Sequence, residues 1–177
     1  MSSAKQKRLF DVPVYCIDSS SIINLFHPRG LPYSPYPPEI FVGLWQKLDQ
    51  IIKNGQLISH ITVFNEVSKR DDDAKKWCQK HKTMFRDIDG YQSEQIPKIK
   101  TRYSKNCWDT ETKRKGQEWA DPWIIALAIC EKTENTYIVS DEKEAPDHIP
   151  YIANQFEIRT LNLMDFFKDI GLKLKLV

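Results

Sequence analysis

The sequence predicts an α/β fold, three layers deep (α/β/α), with a central, mostly parallel sheet of about four or five strands. Three observations predict it. Short strand-like runs, several of them apolar and rich in β-branched and aromatic residues, recur at residues 13–17, 57–60, 136–139 and 157–160. Segments with apolar residues at helical spacing lie between them. The first and third runs end in acids, which close the strand and open the next segment. Strands that alternate with helices build a parallel sheet covered by helices.

Taken in order, residues 13–17 are apolar and closed by Asp18, a buried strand. Ser19, Ser20 and Ser21 then precede Ile22, Ile23, Leu25 and Phe26 at helical spacing; serine at a helix start satisfies backbone donors that the first turn orphans. Residues 27–38 hold five prolines and a glycine and form a stiff loop. Residues 39–53 carry Ile40, Leu44, Leu48, Ile51 and Ile52, an amphipathic helix stopped by Asn54-Gly55. Residues 57–60 make a second strand, after which Thr62 caps a helix through Val63, Phe64, Glu66 and Val67. Residues 71–82 form another helix, with acids at its N-terminal end where the helix dipole favours them. Residues 84–88 read as irregular, 91–103 as helical despite Pro97, and 106–118 as polar without an apolar period. Ala120-Asp121-Pro122 opens a strongly apolar helix reaching residue 132, with proline in the first turn, where its missing donor costs nothing. Asn135 stops it. Residues 136–139 are a strand ended by Ser140-Asp141-Glu142, residues 157–160 are the last strand, and residues 163–167 lie in a last helix before Gly171. The expectation is one domain over residues 1–177, with a Pro-rich loop at 28–38 and a basic segment at 98–118.

Composition narrows the function classes. Lys plus Arg number 26 against 24 Asp plus Glu, so the net charge of +2 identifies no partner and a polyanion site has to come from local clustering. The longest apolar run, residues 123–130, is too short to cross a bilayer. Residues 1–8 are polar and basic with no apolar stretch behind them, which argues against a secretory signal. Cys16, Cys78, Cys107 and Cys130 are scattered, with no redox or zinc spacing, and suit a cytoplasmic protein with reduced thiols. His27, His60, His81 and His148 are equally dispersed.

The acids carry the chemistry. Ligands of open parallel sheets gather outside the carboxyl ends of the strands. Asp18 ends the first strand, Asp121 starts an apolar helix, and Asp141 and Glu142 end the strand at 136–139. Glu66 stands in an otherwise apolar turn between Phe64 and Val67. Carboxylates among apolar neighbours need compensation. A divalent cation provides it, and several carboxylates converging on one point suit Mg²⁺ or Mn²⁺.

The ordered set resembles the PIN domain family of metal-dependent ribonucleases, and more narrowly a small bacterial and archaeal PIN-like branch of unknown function related to VapC toxins. The segments that carry the resemblance are Val14-Tyr15-Cys16-Ile17-Asp18-Ser19-Ser20-Ser21, Phe64-Asn65-Glu66-Val67, Ala120-Asp121-Pro122-Trp123-Ile124-Ile125-Ala126-Leu127-Ala128 and Tyr137-Ile138-Val139-Ser140-Asp141-Glu142. The tail Ile149-Pro150-Tyr151-Ile152-Ala153 and Leu161-Asn162-Leu163 also fit. The resemblance implies a PIN-like α/β/α fold, with Asp18, Glu66 and Asp121 as the first three metal-binding acids and Ser20 as the small polar residue supporting them. Its motif of Thr or Ser, any residue, then an acid puts Ser140 in the first place and Glu142 in the last. Asp141 has the more usual residue type for that fourth acid, so both are carried, with Glu142 favoured on spacing. The expected activity is Mg²⁺- or Mn²⁺-dependent hydrolysis of RNA by a toxin of a type II toxin–antitoxin pair, with an antitoxin protein as partner and a homodimer as the implied assembly.

Residues 98–115 contain Lys98, Lys100, Arg102, Lys105, Lys113, Arg114 and Lys115 against Asp109 and Glu111, with Tyr103 and Trp108 interleaved. Cations match phosphates and aromatics stack on unpaired bases, so Lys105, Lys113, Arg114 and Lys115 are candidate RNA contacts. Arg29, Tyr33 and Tyr36 of the Pro-rich loop are candidates for shaping the cleft. The rival readings are a catalytically inactive PIN-like interaction module and a phosphatase. The phosphatase is disfavoured because no second aspartate stands two places after Asp18.

Overall fold

The computed structural model describes residues 12–28, 30–70, 72–116, 119–131 and 133–173. Five parallel strands form the central sheet: β1 (Val14–Ile17), β2 (Leu57–His60), β3 (Phe85–Arg86), β4 (Thr136–Val139) and β5 (Arg159–Leu161), in the order β3-β2-β1-β4-β5. The chain builds outward from β1 to β2 and β3, then returns to place β4 on the other side of β1 and continues to β5. The order therefore reverses between β1 and β4. At that junction Ile17 is paired with Val139, which puts Asp18 and Ser140 side by side at the carboxyl edge.

Helices cover the sheet to give three layers. On the outward path lie α1 (Ser19–Phe26), α2 (Val42–Lys53), α3 (Ile61–Val67) and α4 (Asp73–Lys80), of which α1, α3 and α4 pack together. The return path carries α5 (Gly90–Lys100), α6 (Lys105–Lys115), α7 (Ala120–Cys130) and α8 (Ile149–Asn154), with α7 lying against β1, β2 and β4, and α9 (Leu163–Asp169) closes the fold. Ile124, Ile125, Ala126, Leu127 and Ala128 of α7 are all buried. An apolar surface all round a helix is the mark of a buried one. Tyr15, Ile17, Leu57 and Ile138 from the strands meet these residues and Phe166 of α9 in one apolar cluster. No helix among the described residues is long and apolar enough to cross a membrane. All four cysteines are free.

Local details depart from the sequence reading in instructive ways. The cap of α1 is Asp18, whose side chain accepts from the Ser21 amide, rather than a serine. The cap of α3 is His60, whose ring accepts from the Thr62 amide, rather than Thr62. Residues 85–86, read as irregular, pair with β2 as a two-residue edge strand. Residues 105–115, read as polar and aperiodic, are the helix α6, which buries none of its side chains and so leaves no apolar period. Ser104 caps α6, and the exposed pairs Lys105–Asp109 and Glu111–Arg114 run along it. Pro97 sits on the exposed side of α5 without ending it.

Candidate functional site

The β1–β4 junction is joined by hydroxyl groups. Asp18 is 2% exposed. Its carboxyl accepts from the Ser21 amide at 3.0 Å, from the Ser20 hydroxyl at 3.0 Å to either oxygen, and from the Ser140 hydroxyl at 3.0 Å. Those two hydroxyls also accept from the chain that follows β4: Ser20 from the Asp141 amide at 3.2 Å, Ser140 from the Glu142 amide at 3.3 Å. Ser20 and Ser140 therefore fix both the orientation of Asp18 and the turn that carries the later acids. Burial pushes the Asp18 carboxyl up to about 8; the charge of Glu142 adds to the rise, and the Ser21, Ser140 and Ser20 donors oppose it.

Asp121 stands in the first turn of α7. Withdrawal from water raises its pKa, the charges of Glu142 and Glu66 raise it further, and Lys115 and a hydrogen bond from the Trp119 indole oppose the rise. Glu66, at the end of α3, accepts from the Ser19 hydroxyl at 2.8 Å and from the Lys115 ammonium at 2.9 Å. Glu142 acts on both Asp18 and Asp121, and one of its oxygens accepts from the Ile149 amide at 2.8 Å at the start of α8. Asp141 is otherwise engaged: one oxygen accepts from the Asn24 amide group at 2.9 Å, the other from the Leu163 backbone at 2.8 Å. Asp141 thus ties α1 to α9, while Glu142 is the acid of the pair whose charge reaches the others.

Glu142 lies within electrostatic reach of Asp18 and of Asp121, and Asp121 within reach of Glu66. Among the described residues, no three His, Cys, Asp or Glu side chains are gathered closely enough to hold a metal ion as they stand. The donors nevertheless fit a hard divalent cation in kind: carboxylate oxygens backed by serine hydroxyls. The cation now closest to that charge is the half-buried Lys115, paired to Glu66 and 3.9 Å from Glu111.

The basic segment looks different from its sequence. Lys105 pairs with Asp109 at 2.7 Å, Arg114 with Glu111 at 2.6 Å, and Lys115 points into the acids. Lys113 is exposed on α6. Lys100 lies over the Trp108 ring and Arg102 over Phe156. Tyr103 is buried and closes a three-ring cluster with Trp108 and Trp119, so its ring has no face for a base. Its hydroxyl finds no partner among the described residues and feels the charges of Asp121 and Glu142. Sequence reasoning assigned Tyr103 to stacking and missed this placement, as it missed Ser19 and Trp119 as donors to Glu66 and Asp121. No spacing rule signals those contacts, because each joins elements distant in the chain or depends on a helix-start geometry. In the Pro-rich loop, Tyr36 lines a cavity of about 370 Å³ with Asn24, Asp141 and Met164; Tyr33 is exposed, and Arg29 lies outside the described residues.

Together these features define a doubly wound α/β protein with a carboxylate site at the point where its strand order reverses. The chain belongs to the family described as Domain of unknown function (DUF4411), whose model matches residues 15–174. No curated protein and no solved structure matches it.

Proposed function

We propose that the chain is a Mg²⁺- or Mn²⁺-dependent endoribonuclease, the toxin of a toxin–antitoxin pair, with an antitoxin protein as its partner. The observation that carries the hydrolase reading is the placement of Asp18, Asp121, Glu142 and Glu66 about the strand-order reversal, with Lys115 paired to Glu66 beside them. The toxin role rests on the resemblance of the ordered motifs to the VapC-like branch. Asp18, Asp121 and Glu142 would hold the cation, and Glu66 would assist at the cation or at a water. Asp141 fits a structural role better, since it ties α1 to α9, whereas the charge of Glu142 acts on Asp18 and Asp121. The bound cation would supply a water made nucleophilic near neutral pH and a neutralised leaving oxygen.

The chain's own groups prepare this. Ser20 and Ser140 aim the Asp18 carboxyl. Ser19 and Lys115 aim Glu66. The buried strand β1 withdraws Asp18 from water, which strengthens the charge interactions it makes. One observation favours the rival reading of an inactive interaction module: the Lys115–Glu66 pair already neutralises one of the four acids.

Two measurements separate the readings. Single-stranded RNA of varied sequence is incubated with the protein and Mg²⁺ or Mn²⁺, and products are resolved on a gel; cleavage that needs the cation is expected. Thermal melts with and without millimolar Mn²⁺ are read alongside, and an upward shift is expected because the cation binds the folded state. Absent cleavage together with an unmoved melt points to the interaction module.

A further inference from the structure

A cleft of about 350 Å³ borders the acids and has no part in the hydrolysis described above. Its walls include Ile96 of α5, Trp108 and Thr112 of α6, Trp119, and Pro122 and Trp123 of α7. That volume is at the lower end for small-molecule sites, room for one planar ring system. Trp123 is a backed platform. One side of its indole stacks on the His60 imidazole, centroids 5.4 Å apart and planes within 5°, while the ring is only half-buried and lines the cleft. His60 itself is fully buried and held between Thr62 at 2.8 Å and Gln92 at 3.0 Å. Trp108 meets Trp119 nearly edge to face at 5.2 Å. Two cations stand on the α5–α6 side of the cleft, opposite in charge to the acids it borders: the Lys100 ammonium is 5.7 Å from the Trp108 ring centre, and Lys113 follows Thr112 on α6. The cleft adjoins the acids directly, because Pro122 is the neighbour of Asp121 and Trp119 is hydrogen-bonded to it.

We propose that this cleft is a stacking subsite for one unpaired nucleobase beside the phosphodiester bond that is cut, an inference that rests on the ribonuclease reading above. Every base presents a π-face, so a rigid indole platform holds it without demanding one sequence. The cations beside the cleft suit the phosphates on either side of that base, and they favour a polyanion over an apolar peptide side chain. A base in a duplex is already stacked and paired, so the subsite selects single-stranded RNA.

The test uses the full chain carrying Asp18→Asn, so that no strand is cut. Fluorescein-labelled oligouridylate and an abasic ribose-phosphate strand of the same length are titrated with it, and binding is read by anisotropy. The base-bearing strand is expected to bind about tenfold tighter. Adding Trp108→Ala or Trp123→Leu should bring that ratio close to one while the salt dependence stays the same, since phosphate contacts are untouched. Thr112→Trp guards against misfolding: position 112 is exposed, and the new ring closes the cleft without removing any core residue, with the same expected loss. Equal affinity for the two strands overturns the proposal, as does a ratio undiminished in Thr112→Trp. Absent cleavage by the parent sinks the nuclease reading, whereas absent base dependence in this uncut binding sinks the subsite.

Discussion

The β1–β4 edge and helix α6 are built on opposite principles. At the edge, Asp18 and Ser140 leave strands whose residues are almost wholly buried, and serine hydroxyls hold the turn that follows. Helix α6 buries none of its residues, is capped by Ser104, and pairs Lys105 and Arg114 with its own Asp109 and Glu111. The edge takes its geometry from the core, and burial raises the pKa of Asp18 and Asp121, whose charge lacks full compensation there. The helix takes little from the core and cancels much of its own charge. The difference teaches where chemistry can be stored: unbalanced charge persists only where packing enforces it, and a surface helix relaxes toward pairing.

This contrast can be broken, starting with the largest expected effect. Phe166 is fully buried and packs edge-on against Tyr15 of β1 at 4.9 Å. Phe166→Ala should cost about 3–5 kcal/mol in urea unfolding. A loss comparable to that of a surface substitution would mean that the edge does not depend on the core behind it.

Next is pH. Burial lowers the His60 pKa from its ordinary 6.5 to about 4, against the opposing pull of Gln92, Asp87 and Asp89. Between those values the unfolded chain takes up a proton that the folded ring refuses, so stability falls as pH drops from about 6.5 to about 4. The ring's share is on the order of 3 kcal/mol over that window. Urea unfolding of parent and His60→Gln at several pH values isolates it, and parallel curves would contradict the assignment.

Ser140→Ala removes one donor from a buried carboxyl and should cost about 1.5–3 kcal/mol. Ser104→Ala removes only the cap of α6 and should cost about 1 kcal/mol. Lys105→Ala, at a fully exposed pair, should leave the unfolding midpoint where it was. If Ser104→Ala proved the costlier of the two serine substitutions, the proposed asymmetry between edge and helix would be reversed.

The same asymmetry explains what the sequence made legible. Strands β1, β2 and β4 and helix α7 are visible because burial imposes apolar runs on them, and the acids that follow β1 and β4 mark the strand ends; β5 is partly exposed and carries no such run. Helix α6 is invisible because none of its side chains is fully buried and only Cys107 and Trp108 pack partly against the core, and β3 because two residues make no pattern. The caps of α1 and α3 were assigned to Ser and Thr by propensity, whereas Asp18 and His60 reach the amides first and also serve tertiary contacts. The basic run at 98–115 offers Lys105, Lys113, Arg114 and Lys115 as candidate RNA contacts. Helical spacing redistributes it into i,i+3 and i,i+4 pairs and turns Lys115 inward toward Glu66. The choice between Asp141 and Glu142 turns on contacts to Asn24 and Leu163, which lie far away in the chain.

The most direct measurement compares the parent with Asp18→Asn in cleavage of single-stranded RNA with Mn²⁺. The substitution removes one negative charge and keeps the shape. Loss of a group that merely supports a metal ligand typically costs 10–100-fold, so loss of the ligand itself should lower the cleavage rate by at least about a hundredfold. RNA affinity should hold or rise, because a charge that repels phosphate has gone. Cleavage by Asp18→Asn at the parental rate would contradict the carboxylate mechanism at its centre.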